Sequence, residues 1–433
     1  MEYFHEGSSE TVIDPSHARS LIDAMLSRLG KLKRVLLIPP DHTRFHSWAG
    51  ELTVILYERL RDCAHVEVLP ALGTHAPMTD VEIGRMFPGI PRQIFRVHRW
   101  REDLTHLGEV PADFVREVSE GKVDFPIPCE INRLLVEGDW DRIISIGQLV
   151  PHEVIGIANH NKNILVGTGG LDTIQKTHYL GAVCGMERIM GWADSPVRRV
   201  LNRMDREFLR DLPIAYILTV RAKDDSGNLV TRGLFAGDDE ACFLRGAELC
   251  REVNLDLLDE PIKKAVVYLD PDEYHSTWLG NKAVYRTRMA MADEGELIIL
   301  APGVRTFGED SEIDRLIRKY GYRGTPCVLE SVRKNEDLAA NLSAAAHLIH
   351  GSSEGRFRIT YCPGGLGRSE IESVGFEYAD PDEMLKRYSP SELSDGSNIT
   401  PDGEEFFYIS NPALGLWTLS ASGVGDRGSG VGD

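Results

Sequence analysis

Residues 141–180 read DRIISIGQLVPHEVIGIANHNKNILVGTGGLDTIQKTHYL, and three kinds of local structure follow one another in them. Asp141 to Val150 is short, apolar and rich in isoleucine, which predicts a buried strand. Gly167, Thr168, Gly169 and Gly170 form a glycine-rich turn. Beyond it, Asp172 or Thr173 opens a helix that carries Ile174, His178 and Leu180. Strand, loop and helix in that order is the repeating unit of an α/β protein, whose chemistry sits where strands end. His152, His160, Lys162 and His178 fall on or just after that loop.

The same unit recurs on the N-terminal side. Arg34-Val-Leu-Leu-Ile predicts a strand that Pro39 and Pro40 stop, so Asp41-His42-Thr43-Arg44 lies on a loop at its C-terminal end. Val66 to Leu72 predicts another, ending in Gly73-Thr74-His75. Helices are expected over 17–30, capped by Gly30, and over 46–63. Thr79 with Glu82 three residues on forms a capping box. In a parallel sheet, Asp41, Arg44 and His75 would share one edge.

On the C-terminal side the periodicity predicts a helix over 197–212, a hairpin around the acidic turn Asp224-Asp225-Ser226-Gly227, and a helix over 240–253. A second alternation starts near Ile262. It has strands over 264–269, 296–301 and 356–361, and helices over 276–293, 309–320 and 335–349. The expectation is two α/β domains with mainly parallel sheets, 1–260 and 261–420, with the active site in the cleft between them. The Gly/Ser-rich tail 421–433 is expected to be disordered.

Composition narrows the function. With 433 residues, 42% apolar and 27% charged, the chain is expected to be soluble and to hold more than one core. No run of eighteen apolar residues predicts a membrane span, and MEYFHEGSSETVIDPSH does not predict a secretory leader. A cytoplasmic location is expected. A net charge of −19 argues against nucleic acid and anionic membranes as partners. Seven scattered cysteines without a CxxC pair predict neither a thiolate zinc site nor a disulfide framework.

A zinc hydrolase is the first generic reading of clustered histidines. His152-Glu153 is followed by Val154, Ile155 and Gly156, so HExxH is absent. Imidazoles suit nickel equally. The GTGG turn either cradles a phosphate with backbone N–H groups or is a plain tight turn. It is neither GxGxxG nor a Walker loop.

Taken in order, Asp41-His42-Thr43-Arg44, Gly73-Thr74-His75, Pro151-His152, Lys162 and Thr173-Ile174-Gln175-Lys176-Thr177-His178 resemble the nickel-pincer lactate racemase family of 2-hydroxyacid racemases and epimerases. His152 precedes Lys162 by ten residues and Lys162 precedes His178 by sixteen, as in that family. Glu294 to Gly303 extends the likeness into the second domain. The resemblance implies a nickel-pincer nucleotide, a pyridinium mononucleotide bearing two sulfur groups. It would be tethered to Lys162, with His178 as the protein ligand to nickel. It implies His75 and His152 as the two acid/base residues. Asp41, Thr43 and Arg44, with Gly167 to Gly170, would lie near the cofactor, and Arg44 would serve either its phosphate or the substrate carboxylate.

Three departures bear on the substrate. Ala158-Asn159-His160-Asn161-Lys162 replaces a glycine-rich run, which requires a different backbone there or asparagine at positive φ. His160 is then either an extra metal or substrate contact or an exposed loop residue. The family's Gln-x-x-Lys clamp is missing; Asn341 and Ala344 stand in its place, with His347 one turn on. The Gly-rich loop Tyr361 to Arg368 brings Arg368, which either supplies the missing positive charge or merely ends a turn. The expected activity is racemisation or epimerisation at C2 of a 2-hydroxy acid, lactate-like or larger, including a sugar acid such as gluconate. Expected partners are that small acid and the enzymes that build the cofactor. The alternatives are a zinc-type metallohydrolase and a non-catalytic nickel- or cofactor-binding protein.

Overall fold

Near-continuous burial along two adjacent strands sets the architecture of the N-terminal half. In the computed structural model, which describes residues 1–224, 226–413 and 415–420, Val35 to Ile38 and Ile143 to Gly147 are buried without interruption. Strands covered on both faces are characteristic of parallel sheets. The chain divides into two compact units, Met1–Asn254 and Leu255–Asp433.

The strands of the first unit are β1 (Glu2–Gly7), β2 (Arg34–Ile38), β3 (His65–Val68), β4 (Leu104–Val110), β5 (Ile127–Asn132), β6 (Arg142–Leu149), β7 (Pro151–His152), β8 (Gly156–Ile157), β9 (Ile214–Lys223) and β10 (Leu229–Gly237). Six of them form one sheet in the order β1-β10-β9-β6-β2-β3. The run β9-β6-β2-β3 is parallel and the β1-β10-β9 end is antiparallel. β4 and β5 make a separate hairpin, and β7 and β8 a two-residue pairing.

One core lies on this sheet. The helix Pro15–Leu29 buries Ala18, Ile22 and Met25, spaced four and three residues apart on one face. Its N-cap is Asp14 and its C-cap Gly30 at φ +74°. The capping box at Thr79 and Glu82 is present, with both reciprocal bonds. The helix expected from His46 instead begins at Ala49. Asp41 caps a 3-10 turn over His42–Ser47, and Trp48 at φ +66° separates that turn from the helix Ala49–Leu60.

The second unit has β11 (Asp256–Leu258), β12 (Ile262–Tyr268), β13 (Met291–Ala301), β14 (Arg358–Pro363), β15 (Glu377–Tyr378), β16 (Gly396–Ile399), β17 (Glu405–Ile409) and β18 (Trp417–Leu419). Its main sheet runs β15-β14-β13-β12-β17-β16, parallel except at β16–β17. Two expected helices are corrected. That over 276–293 is Thr277–Gly280 and Lys282–Thr287; β13 takes the remainder because buried Met291 pairs with Ile262. That over 335–349 is broken at Asn341, whose Oδ1 accepts from the Ala344 N–H and starts a new helix, Leu342–His350. The helix Thr325–Lys334 and the β16–β17 hairpin were not anticipated. Asp225 and the tail 421–433 lie outside the described residues. Among the described residues no helix is long and apolar enough to cross a membrane.

Candidate active site

Because β3, β2 and β6 are parallel neighbours, the segments that follow them leave the sheet at one edge. A pocket of about 230 Å³ opens there, lined entirely by residues of the first unit. Asp41, Thr43 and Arg44 enter from the segment after β2, and Gly73, Thr74 and His75 from the segment after β3. Lys162, His152 and Gly167 come from the chain beyond β6, and His178 from the helix Leu171–Cys184. Residues far apart in sequence therefore converge on one small cavity.

Lys162 Nζ lies 3.2 Å from His152 Nε2. The Val154 N–H donates to His152 Nδ1 at 3.1 Å, so the neutral ring carries its proton on Nε2, facing the amine. In its neutral form the Lys162 amine would accept a hydrogen bond from that N–H. Burial, reinforced by the Arg44 charge, lowers Lys162 to about 8, which raises the share of the neutral amine. Burial holds His152 well below the ordinary imidazole range, and the Lys162 and Arg44 charges add to that effect. The Glu153 carboxylate, 3.6 Å from His152 Nδ1, opposes it.

His178 donates from Nδ1 to the Ile174 carbonyl at 2.6 Å, which leaves Nε2 with a free lone pair on a ring fixed in orientation. That is the form in which an imidazole binds a metal. Burial, then the Lys162 charge, keep the ring below its usual pKa. His75 Nδ1 lies 2.6 Å from Asp41 Oδ2, while Thr43 donates to Asp41 Oδ1 from Oγ1 at 2.5 Å and from N–H at 3.2 Å. Burial pushes the Asp41 carboxyl up, but the bonds from His75 and Thr43 outweigh it and leave Asp41 below its normal value. A buried carboxylate behind an exposed imidazole orients the ring and leaves Nε2 toward the opening. Arg44 is exposed and lines the pocket. Among the described residues its guanidinium forms no hydrogen bond or ion pair, so it is available to an anion.

The remaining candidates fall elsewhere. Of the glycine turn, only Gly167 reaches the pocket wall. The Thr168 hydroxyl donates to Ile164 O, Gly169 pairs with Ile131, and the Gly170 N–H donates to Glu130 O. An added Cβ would lie 2.0 Å from Leu165 O at Gly169 and 2.2 Å from Glu130 Oε2 at Gly170. These glycines serve close packing against the β4–β5 hairpin. His160 is buried, 4.0 Å from the Tyr216 ring centre and 5.3 Å from that of Phe243; it is neither an exposed loop residue nor part of the pocket wall. In the second unit Asn341 caps its helix. His347 is buried, bonded through Nε2 to Tyr322 OH at 2.9 Å and packed on Trp278. Arg368 pairs with Glu372 at 3.2 Å and lies over the Tyr378 ring.

Sequence reasoning missed Gln148, Asn159 and Asn163, all on the pocket wall. Asn163 Nδ2 donates to Ile38 O at 3.1 Å and to Ser145 Oγ at 2.9 Å, tying the lysine's short helix, Asn161–Leu165, to the end of β2 and the middle of β6. The available signal was Ser145, a polar residue inside an otherwise apolar strand. Gly147 has a similar purpose: a Cβ there would fall 1.8 Å from Asn159 Nδ2. Gly147→Ala is expected to displace Asn159 and lower folding stability by about 1–3 kcal/mol, measurable by urea titration. An unchanged midpoint would mean that the contact relaxes freely.

Among the described residues, no group of three or more His, Cys, Asp or Glu is arranged to hold a metal ion. The donors that do converge are one amine and three imidazoles, with Lys162 bonded to His152, His75 to Asp41 and His178 to Ile174 O.

Comparison with known proteins gives the class. Residues 9–189 match the family described as the lactate racemase N-terminal domain. A crystal structure of a Thermotoga maritima protein superposes with a TM-score of 0.78 at 25% identity, covering 96% of this chain and 100% of the other. The lactate racemase apoprotein of Thermoanaerobacterium thermosaccharolyticum shares the fold, with a TM-score of 0.66 at 19% identity over 90% of this chain and 88% of that one. No curated protein sequence matches. The protein is an α/β enzyme of the racemase type. The likeness to the lactate racemase family is carried by residues 9–189.

Proposed function

We propose that this protein inverts C2 of a 2-hydroxy acid with a nickel-pincer nucleotide tethered to Lys162. The convergence of a lysine amine of lowered pKa, an imidazole with a free lone pair and two further imidazoles on one pocket supports the reading most. The donor set suits the cofactor. Lys162 offers an amine lowered to about 8 for the covalent link, and His178 offers the Nε2 lone pair left by its bond to Ile174 O. One protein ligand suffices when the cofactor itself supplies the other donors. When bound, the group would supply reversible hydride acceptance at C2, chemistry that no side chain performs.

The chain's part is proton transfer and orientation. A 2-hydroxy acid that gives up its hydroxyl proton together with its C2 hydride becomes a planar 2-keto acid. His75 and His152 would take and return the hydroxyl proton, one for each configuration. Asp41 steadies the His75 ring through the 2.6 Å bond and would offset its charge when protonated. Glu153 is the carboxylate nearest His152. Arg44 would hold the substrate carboxylate in a bidentate fork. We favour it over Asn341, His347 and Arg368, which are engaged within the second unit. Enzymes that build the cofactor would be the protein's partners.

The experiment is co-production with cofactor-building enzymes, followed by intact mass, nickel content and a racemisation assay across lactate and larger hydroxy acids. A mass increment on the peptide containing Lys162, nickel, and inversion of at least one acid are expected. His75→Ala and His152→Ala are each expected to keep the increment and lose 10²- to 10⁴-fold in turnover, roughly the range for a positioned proton-transfer group. Wild-type turnover in either variant would remove that residue from the scheme.

A further inference from the structure

Arg198, on the helix Pro196–Met204, has no part in the scheme above and does not line the pocket. It is almost completely buried, at 1% exposure. Four of its five N–H groups have partners, all in the segment that leads to Lys162. Nη1 donates to Asn161 Oδ1 at 2.5 Å and to Asn159 O at 3.3 Å; Nη2 donates to Ile157 O at 2.6 Å and to Asn159 O at 3.3 Å. The guanidinium plane rests 4.2 Å from the Phe243 ring centre. Among the described residues, no carboxylate forms an ion pair with it. Burial lowers its pKa to about 9, a measure of how unfavourable this location is for a charge. The same helix grips the segment again through Asn202, whose Oδ1 accepts from Asn161 Nδ2 at 2.7 Å.

The gripped segment follows a path that L-residues rarely take. Asn159 has φ +71°, and His160 has φ +58° with ψ −135°, a region nearly reserved for glycine. Unsupported, two such residues would relax to an ordinary conformation and carry the following residues with them. Lys162 lies two residues beyond His160. A guanidinium meets three separate acceptors at once because its donors diverge in one plane; an ammonium has a point charge and no such fork.

We propose that Arg198 is a positioning residue. By holding the carbonyls of Ile157 and Asn159 and the side chain of Asn161, it keeps the Asn159-His160 backbone left-handed and so aims the Lys162 amine into the pocket. The importance of that aim rests on the tethering role given to Lys162 above; the aim itself does not depend on any cofactor.

The test uses the full chain purified without cofactor. Trace acetylation with acetic anhydride at pH 8, read by peptide mass spectrometry, gives the labelling of Lys162 relative to the exposed Lys33. A lysine held near pKa 8 is about half neutral at that pH, whereas an ordinary one is neutral to a few parts in a thousand, roughly. Lys162 in the parent is therefore expected to label far faster. Arg198→Lys is expected to lower the Lys162:Lys33 ratio at least tenfold while circular dichroism and a cooperative melt report a folded chain. A lower melting temperature with the parent ratio would overturn the proposal, since a merely structural arginine predicts that result. If Arg198→Lys does not fold, Asn161→Ala removes one of the three acceptors and leaves the arginine. A fall in the ratio then supports the proposal, and an unchanged ratio overturns it. Labelling needs no cofactor, so its failure counts against Arg198 alone, whereas a missing mass increment in the parent counts against the tether.

Discussion

Lys162→Ala is expected to abolish both the covalent mass increment and all detectable racemisation, the largest functional effect of any single substitution here. Lys162 is the only lysine lining the described pocket. Burial and the Arg44 charge lower its amine to about 8, which raises the share of the neutral form, and it lies 3.2 Å from Nε2 of His152. A neutral amine is nucleophilic; an ammonium is not. Lys162→Arg should fail equally, because a guanidinium stays charged at any working pH. Folding should survive Lys162→Ala, since the amine makes one hydrogen bond, to His152, whose loss costs about 1–3 kcal/mol. Intact mass separates the outcomes. An increment retained on Lys162→Ala would move the attachment point elsewhere and end the proposed scheme.

The second large effect is on stability in acid. Burial lowers the pKa of His98, His152, His160, His178 and His347, with His160 and His347 brought to about 3. In the unfolded chain each ring takes up a proton near pH 6.5, roughly its unperturbed value. A base whose folded pKa is depressed contributes stability that is complete above its unfolded pKa and lost as the pH falls below it. Each ring therefore removes up to about 1.4 kcal/mol per pH unit, and for His160 and His347 the window extends from near 6.5 down to about 3. Asp41 acts in a lower window: its depressed carboxyl stabilises the fold above the unfolded carboxylate pKa and ceases to do so only as the pH falls through the folded value. Between roughly pH 6.5 and 4.5 the histidines dominate. The chain without cofactor is expected to take up several protons on unfolding near pH 5.5 and to unfold in acid well above the carboxylate range. Urea titrations at a series of pH values give the number of protons directly. A slope of less than about one proton would mean that these rings are protonated or solvated in the folded chain.

Much of the first unit was legible because its signals are local. Pro39 and Pro40 end β2 and deliver Asp41, Thr43 and Arg44 to the sheet edge; Gly73 to His75 follow β3 in the same way. The capping box at Thr79 and the cap at Gly30 are short-range chemistry, readable from three or four residues. The helix starting points near Trp48 and Asn341 were missed because each depends on one residue's dihedral angle or side-chain bond within a stretch of good helical pattern. Met291 was assigned to a helix because its pairing with Ile262 is a long-range fact. The site divides similarly. Lys162, His75, His152 and His178 were singled out by their place at strand and loop ends and by the family resemblance, and they line one pocket. Gln148, Asn159 and Asn163 carry no motif. The environments of Asn341, His347 and Arg368 depend on partners in space, such as Tyr322 and Glu372, that no window of sequence contains.

The two imidazoles at the pocket are unequal. The His75 side chain is 56% exposed with a carboxylate behind it, whereas that of His152 is 13% exposed and leans on an amine. For a substrate whose two forms are mirror images the equilibrium constant is unity, so kcat/KM must be identical in the two directions whatever the residues do. The inequality of wet and dry partners can then surface only as a matched difference in kcat and KM taken separately, with one enantiomer turned over faster and held more loosely than its reflection.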